Sequence, residues 1–484
     1  MEELFVGIDI GTSSVKMIAC NQWLVSRWSH QVSYKYKELD DGAKEINPDI
    51  WYDIVEDGLM RLVTHVNPKQ IKGIGVTGQM HTTVFVDNKG KSIRPAIMWN
   101  DKRTVNDVGS IKDKLKSSDD TKHLAEVVAT GSPLVNLLWL KQYEPDNYNQ
   151  LHKVLITKDY IVQRLTNQFT TDYCDASTSG MFDLFNRKWS KKVLQLFDLK
   201  EDLFPEVKSS SEIVSNLSDE LMVKLGLKHS IPVIVGTGDN AASVVAADGL
   251  TDDIPIISLG TSGVIIVPDS TNTLKQSGKN IIFSMNKKKE GVITQGTVQS
   301  GTQSFNWWTH SILEESEIQH VQSSIRKDSL GSNQVIYFPH LNGEKYLYKN
   351  QKMKGAFVGL DLTSTRNDLT QAIMEGLAYG IKDLYQAIKP DEESKKFKAV
   401  GGGAKSHLWL EIFSNVLNAE VIYHSAKQDP GYGVAILIMN ALGISVKSLN
   451  NNQTIVKPTE EIVKRYENKY AKYKSLAKLL NNYY

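Results

Sequence analysis

Short apolar, partly β-branched runs broken by glycine-rich turns set the pattern of this chain. Leu4 to Ile8 form one such run, Gly11-Thr12-Ser13-Ser14 interrupt it, and Val15 to Ala19 resume it, which predicts a strand, a tight turn and a second strand. The same punctuation returns at Ile254 to Leu259, Gly260-Thr261-Ser262-Gly263 and Val264 to Val267, with Gly260 lying 249 residues after Gly11. Hairpins reuse these turn residues, so the coincidence can arise by chance. The alternative is a duplicated α/β domain whose two turns face each other across a cleft. The repeat alone then places the boundary near Leu250, giving domains at 1–249 and 250–484. Helical periods fill the spaces between strands: Leu134, Leu137, Leu138 and Trp139; Asp159 to Leu165; and Leu369, Ile373, Leu377 and Gly380 after the strand-like Ala356 to Leu360. Near the C-terminus, Ile462, Tyr466, Tyr470, Tyr473, Ala477 and Leu480 make the buried stripe of an amphipathic helix that Pro458-Thr459 starts.

Length and composition narrow the class. The 484 residues suit roughly two to four domains, and 41% apolar with 23% charged residues is an ordinary globular balance. Lys plus Arg number 56 against 55 Asp plus Glu, so no basic field exists to draw in nucleic acid. The short run Lys287-Lys288-Lys289 reads as a solvated turn. Cys20 and Cys174 are the only cysteines and form no CxxC pair, which leaves the cytoplasm as the expected compartment. Met1-Glu2-Glu3 opens no signal peptide, and no apolar stretch is long enough to span a membrane.

The chemistry concentrates in the turns. Gly, Ser and Thr expose backbone N–H groups and hydroxyls without bulk, a surface suited to phosphate oxygens. Asp9 precedes the first turn by two residues where the second has Ser258, so one turn carries a carboxylate suited to a hydrated divalent cation. Gly73-Ile74-Gly75-Val76-Thr77-Gly78 matches GxGxxG, but strand and hairpin signals follow instead of a helix, which argues against an NAD site. No GxxxxGK[ST] occurs, which removes the P-loop class. In Gly236-Thr237-Gly238-Asp239-Asn240, Asp239 ends a strand and opens a helical run; it is a helix cap or a catalytic carboxylate, with Asn240 beside it able to bond a hydroxylated substrate. His81 and Trp99-Asn100-Asp101 place polar and aromatic groups at strand ends, as sugar recognition requires, although a lone His is often structural. Gly401-Gly402-Gly403-Ala404 either closes a strand-to-helix turn or lets a nucleobase or ribose lie on bare backbone.

Taken together, these segments resemble the FGGY carbohydrate kinases along essentially the whole chain. The resemblance rests on Gly7-Ile8-Asp9-Ile10-Gly11-Thr12-Ser13-Ser14-Val15-Lys16, Gly78-Gln79-Met80-His81, Pro95 to Asp101, Asp172 to Ser177, Gly238-Asp239-Asn240, the second phosphate turn, Gly402-Gly403-Ala404, and Gly355 to Leu360 leading to Asp368-Leu369 and Glu375. It implies an α/β fold of two actin-like ATPase domains, each on a ribonuclease H-like core, closing over ATP and sugar. By motif, Asp239 would be the base; Met80, His81, Trp99 and Asn240 would contact the sugar. Asp9 would face Mg²⁺ through water. Gly11, Thr12, Ser13, Lys16, Gly260 and Thr261 would serve the phosphates, and Gly402, Gly403 and Ala404 the adenosine. The expected reaction is ATP-dependent phosphorylation of a ketopentose, D-xylulose first, with gluconate or ribulose as alternative acceptors and a non-enzymatic sugar or nucleotide sensor as a more distant one. The partners expected are small molecules, without nucleic acid or membrane, and a homodimer is among the open oligomeric states. Three positions depart from the family's usual residues and bear on the sugar more than on phosphoryl transfer: Thr82 for Gly, Asn136 for Lys, and Lys345 for Arg after Gly343-Glu344.

Overall fold

A computed structural model describes residues 1–39, 42–247, 254–260, 262–269, 278–285, 289–315, 318–344, 346–390, 392–424, 429–447 and 453–484. The chain forms two compact units, one from Met1–Thr251, Asn280–Val292 and Ala426–Asn451, the other from Asp252–Lys279, Ile293–Ser425 and Asn452–Tyr484. A single cut near residue 250 therefore leaves two segments of the first unit on its far side.

In the first unit, β1 (Leu4–Ile10), β2 (Ser14–Cys20) and β3 (Ser26–Ser33) pair antiparallel in succession, as the apolar runs around Gly11 to Ser14 require. β4 (Ile71–Gly78) lies parallel to β1 on its other side, with Asp9 opposite Thr77. Past β4 the chain makes β5 (Thr83–Val86) and β6 (Ala96–Ile97), which pair antiparallel in a second sheet. β7 (Pro232–Ile234) and β8 (Thr237–Gly238) then return parallel to β4, Thr237 opposite Thr77. α1 (Pro133–Tyr143), α2 (Tyr173–Thr178) and α3 (Asp239–Ala246) belong to this unit.

The second unit repeats the plan. β9 (Ile256–Leu259) and β10 (Gly263–Asp269) form the antiparallel hairpin, while β11 (Lys396–Val400) and β12 (Glu420–His424) continue parallel to β9 in turn. The matching hairpin-plus-parallel topology gives the repeated turn signals a structural basis: each Gly-Thr-Ser segment joins the first two strands of one core. α4 (Gly301–Asn306) and α5 (Arg366–Ile388) belong here; Thr365 caps α5 through the N–H of Asp368.

After β12 the chain returns to the first unit as α6 (Pro430–Ala441), whose residues Gly431 to Met439 are all buried. A helix apolar on every side belongs in a core. Its seat is lined by glycine. A Cβ on Gly7 of β1 would lie 2.0 Å from the Gly431 carbonyl oxygen, and one on Gly73 of β4 would lie 2.6 Å from Ile438 Cγ2. On the helix, a Cβ on Gly433 would lie 1.9 Å from the Ala242 carbonyl oxygen of α3. A Cβ on Gly75 would lie 3.1 Å from Val434 Cβ, so Gly73 and Gly75 of the GxGxxG-like segment admit a helix to the sheet face, which explains them without a dinucleotide. Phe5, Ile18, Ile234 and Val245 complete that apolar layer, while Val6, Ile8 and Val76 face a separate core on the opposite side. The first unit is therefore a sheet covered on both faces, as parallel strands require.

β13 (Gln453–Val456) and α7 (Glu460–Tyr483) end the second unit. The expected stripe is buried at Tyr466, Tyr470, Tyr473 and Ala477, and Lys469 joins it by pairing with fully buried Glu375 at 2.5 Å. Among the described residues no helix is long and apolar enough to cross a membrane.

Candidate active site

Three neighbouring parallel strand ends assemble the chemistry of the first unit. β1 ends on Asp9-Ile10, β4 on Gly78 before Met80-His81, and β8 on Gly238 before Asp239, and the registers put Ile10, Gly78 and Gly238 side by side. Open α/β sheets bind ligands beyond such carboxyl ends. Asp239 is the first residue of α3, and the N-cap position falls on Gly238. Its Oδ1 accepts the Asn240 N–H at 2.7 Å. Burial nevertheless outweighs that hydrogen bond and raises the Asp239 carboxyl to about 6. A carboxylate with that affinity can take a proton near neutral pH. Gly238 is needed here because a Cβ would lie 2.6 Å from Met80 Cγ. Asn240 reaches back to Met80, its Nδ2 lying 3.8 Å from Sδ.

Asp9 is pushed up to about 8, first by burial and then by the charges of Asp239 and Asp429, with Lys16 opposing. Its buried Oδ1 has no hydrogen-bond partner among the described residues. Lys16, on β2, forms an ion pair with Asp429, which also caps α6 through the Gly431 N–H at 3.0 Å. The turn from Gly11 to Ser13 is braced by Tyr34, whose hydroxyl donates to the Gly11 carbonyl and whose N–H donates to the Ser13 carbonyl at 2.9 Å. Trp99 is 45% exposed, and its indole Nε1 donates to Thr12 Oγ1 at 3.1 Å. His81 follows β4 with a left-handed backbone, φ 69°. Asp101 is a structural residue, buried and paired with Arg103 at 2.9 Å.

In the second unit, exposed Gly260 follows β9 and the Gly402–Lys405 turn follows β11, so the two lie at the ends of adjacent parallel strands. Among the described residues no atom lies within 4 Å of a would-be Cβ on Gly402, and Ala404 is buried. Thr302 of α4 donates its hydroxyl to the Gly260 carbonyl. Thr261 lies outside the described residues.

All first-unit candidates thus gather around one set of strand ends, and the described second-unit candidates gather around another. Sequence reasoning missed Tyr34, Thr302 and Asp429. The first two carry no local signal. Asp429 announces itself only as an Asp-Pro-Gly helix start.

A two-unit repeat of this topology, with Asp9, Asp239 and glycine-rich turns at its strand ends, is the actin-like α/β plan that the sequence resemblance implied. The chain belongs to the FGGY family of carbohydrate kinases: residues 4–246 match the N-terminal domain of that family and residues 256–442 its C-terminal domain. It is 31% identical to the xylulose kinase of Staphylococcus xylosus over 89% of both chains, and 28% identical to that of Bacillus subtilis over 99% of this chain and 96% of that one. Among solved structures, a xyloylose kinase from Brucella ovis matches all of both chains with a TM-score of 0.89 and 26% identity. A gluconate kinase from Lactobacillus acidophilus matches 99% of each with a TM-score of 0.86 and, at 21% identity, speaks for the fold alone. The chain is accordingly a carbohydrate kinase with ATP as co-substrate.

Proposed function

We propose that this kinase transfers the γ-phosphoryl group of ATP to the terminal hydroxyl of a ketopentose, converting D-xylulose to D-xylulose 5-phosphate. The observation that carries the choice of sugar is the near full-length similarity to xylulose kinases from several bacteria. Asp239 orients the attacking hydroxyl and takes its proton as the bond to phosphorus forms, while Met80, His81, Trp99 and Asn240 hold the sugar. Backbone and hydroxyls of Gly11 to Ser13 and Gly260-Thr261 receive phosphate oxygens; Lys16, steadied by Asp429, adds a positive charge, and Gly402 to Ala404 accept the adenosine. Phosphoryl transfer gains most from such positioning and charge neutralisation.

Asp9 fits a hydrated Mg²⁺: an unpartnered buried oxygen, disfavoured as an anion by burial and two nearby carboxylates, is relieved by a cation. When bound, the ion neutralises charge building on the phosphate oxygens. A cytoplasmic setting accords with ATP as co-substrate and with two buried cysteines that form no disulfide.

Two measurements test this reading. In a coupled ADP-release assay against D-xylulose, ribulose and gluconate, D-xylulose is expected to give the highest kcat/KM; faster gluconate turnover rejects the assignment, and sugar binding without ADP release favours a sensor. The working form of Asp239 is the ionised one and burial favours the neutral one. The kcat is therefore expected to be flat above pH ~7 and to fall towards tenfold per pH unit below about 6. A profile flat to pH ~4.5 removes Asp239 as the titrating base.

A further inference from the structure

Beneath the residues assigned to the sugar lies a layer of buried hydroxyl and amide groups that cannot reach it. Thr82, Thr83 and Asn136 are each 0% exposed, and their side-chain hydrogen bonds lead to the backbone of His81, Trp99 and Gly131 and to one another. The Thr82 hydroxyl accepts the Trp99 N–H at 3.0 Å. The Thr83 hydroxyl donates to the His81 carbonyl at 2.9 Å and accepts from Asn136 Nδ2 at 2.9 Å. The same Nδ2 donates to the Gly131 carbonyl at 3.1 Å. Gly131, at φ 79°, presses directly on Trp99, since a Cβ there would lie 2.2 Å from the Trp99 carbonyl oxygen.

Trp99 is therefore gripped along its backbone from both sides, while its exposed indole reaches Thr12 of the phosphate turn. At 45% exposure the ring depends on its backbone for its placement more than a buried ring would. His81 has the complementary problem: a left-handed backbone is uncommon outside glycine and persists only where its surroundings impose it. The Thr83 hydroxyl on its carbonyl, with the Thr82 N–H on the Met80 carbonyl at 2.9 Å, supplies that restraint.

Resting on the sugar-kinase reading above, we infer that Thr82 and Asn136 are positioning residues for sugar recognition: Thr82 by holding the Trp99 amide, Asn136 by holding Gly131 and Thr83, and neither by touching the sugar. Their effect falls first on sugar affinity: among the described residues neither the base Asp239 nor the adenosine turn shares a hydrogen bond with this layer, and the link to the phosphate turn runs from the Trp99 indole to Thr12, not through the amide that Thr82 holds.

The test uses the whole enzyme and the sugar that the substrate panel selects. Thr82→Val keeps the shape and deletes the acceptor, leaving the Trp99 N–H unpaired. It is expected to raise the sugar KM about tenfold while kcat and the ATP KM stay within about twofold. Thr82→Ser, which keeps a hydroxyl, is expected to return the sugar KM to within about threefold of wild type. Asn136→Leu is expected to give the same split through Gly131 and Thr83. A second readout needs no substrate: amide hydrogen exchange in a peptide spanning residues 96–101 is expected to quicken in Thr82→Val and not in Thr82→Ser. An unchanged sugar KM in Thr82→Val, equal losses for sugar and ATP, or a serine variant as impaired as the valine one each overturn the inference. Failure of wild type to phosphorylate any sugar rejects the kinase reading instead, and the exchange result still decides whether Thr82 holds Trp99.

Discussion

Asp239→Asn is expected to bind sugar within about threefold of wild type and to lose about 10²–10⁴-fold in kcat. The carboxamide has the size of the carboxylate, and its oxygen can still accept the Asn240 N–H that Asp239 accepts at 2.7 Å. The start of α3 and the contact with Met80 should therefore survive. What is lost is proton affinity. Burial sets the Asp239 carboxyl at about 6, so the native group is ionised at neutral pH yet basic enough to accept the hydroxyl proton; an amide cannot do so. Steady-state kinetics at saturating ATP and sugar, with calorimetric sugar titration alongside, separate the two quantities. Turnover near that of wild type would take Asp239 out of the chemistry.

The second large effect is on stability. Lys158→Met is expected to cost about 3–5 kcal/mol, because it removes the cation that, among the described residues, alone pairs with a buried group of carboxylates. Lys158 Nζ lies 2.6 Å from Asp159, 3.2 Å from Asp172 and 3.4 Å from Asp175, and none of the four side chains is more than 3% exposed. One ammonium cannot balance three anions: burial holds Asp159 and Asp175 above the usual carboxylate range. A carboxyl raised in the folded state binds its proton more tightly there than in the unfolded chain. The stability it lends is complete below the unfolded value near 3.8 and is lost as pH rises through the folded one. Without Lys158 the carboxylates are harder still to ionise, so the variant should lose more at pH 8 than at pH 5. Denaturant melts at both pH values check this, and equal midpoints for variant and wild type would show that the network adds nothing. The damage should reach the site, since Asp172 also accepts the Thr237 hydroxyl at 2.7 Å, two residues before Asp239.

The hairpins, the position of Asp239 and the buried tyrosine stripe were legible because each follows from local periodicity or turn chemistry. Thr82 and Asn136 stood out only as unusual residues within a motif. Their hydrogen bonds join the connection after β4, strand β5, the loop after β6 and helix α1 with the residue Gly131 before it, and no spacing along the chain reveals such a meeting. Asp429 shows the same limit from another side: it reaches Lys16 across 413 residues of sequence. Gly73 and Gly75 were readable as glycines in a strand, but their reason is a helix that begins at Pro430.

That helix makes the order of synthesis matter. Until α6 emerges, the glycine-lined face of β1 and β4, together with Phe5, Ile18 and Ile234, lacks the helix that covers most of it, and α3 alone packs there through Ala242, Val245 and Ala246. At about 5–20 residues per second, the stretch from Thr251 to Ala441 takes roughly 10–40 s to translate. A nascent chain in that interval carries an almost finished sheet with one sticky side, which is the surface a holding chaperone would engage and a ribosome stalled before residue 430 would leave open to aggregation.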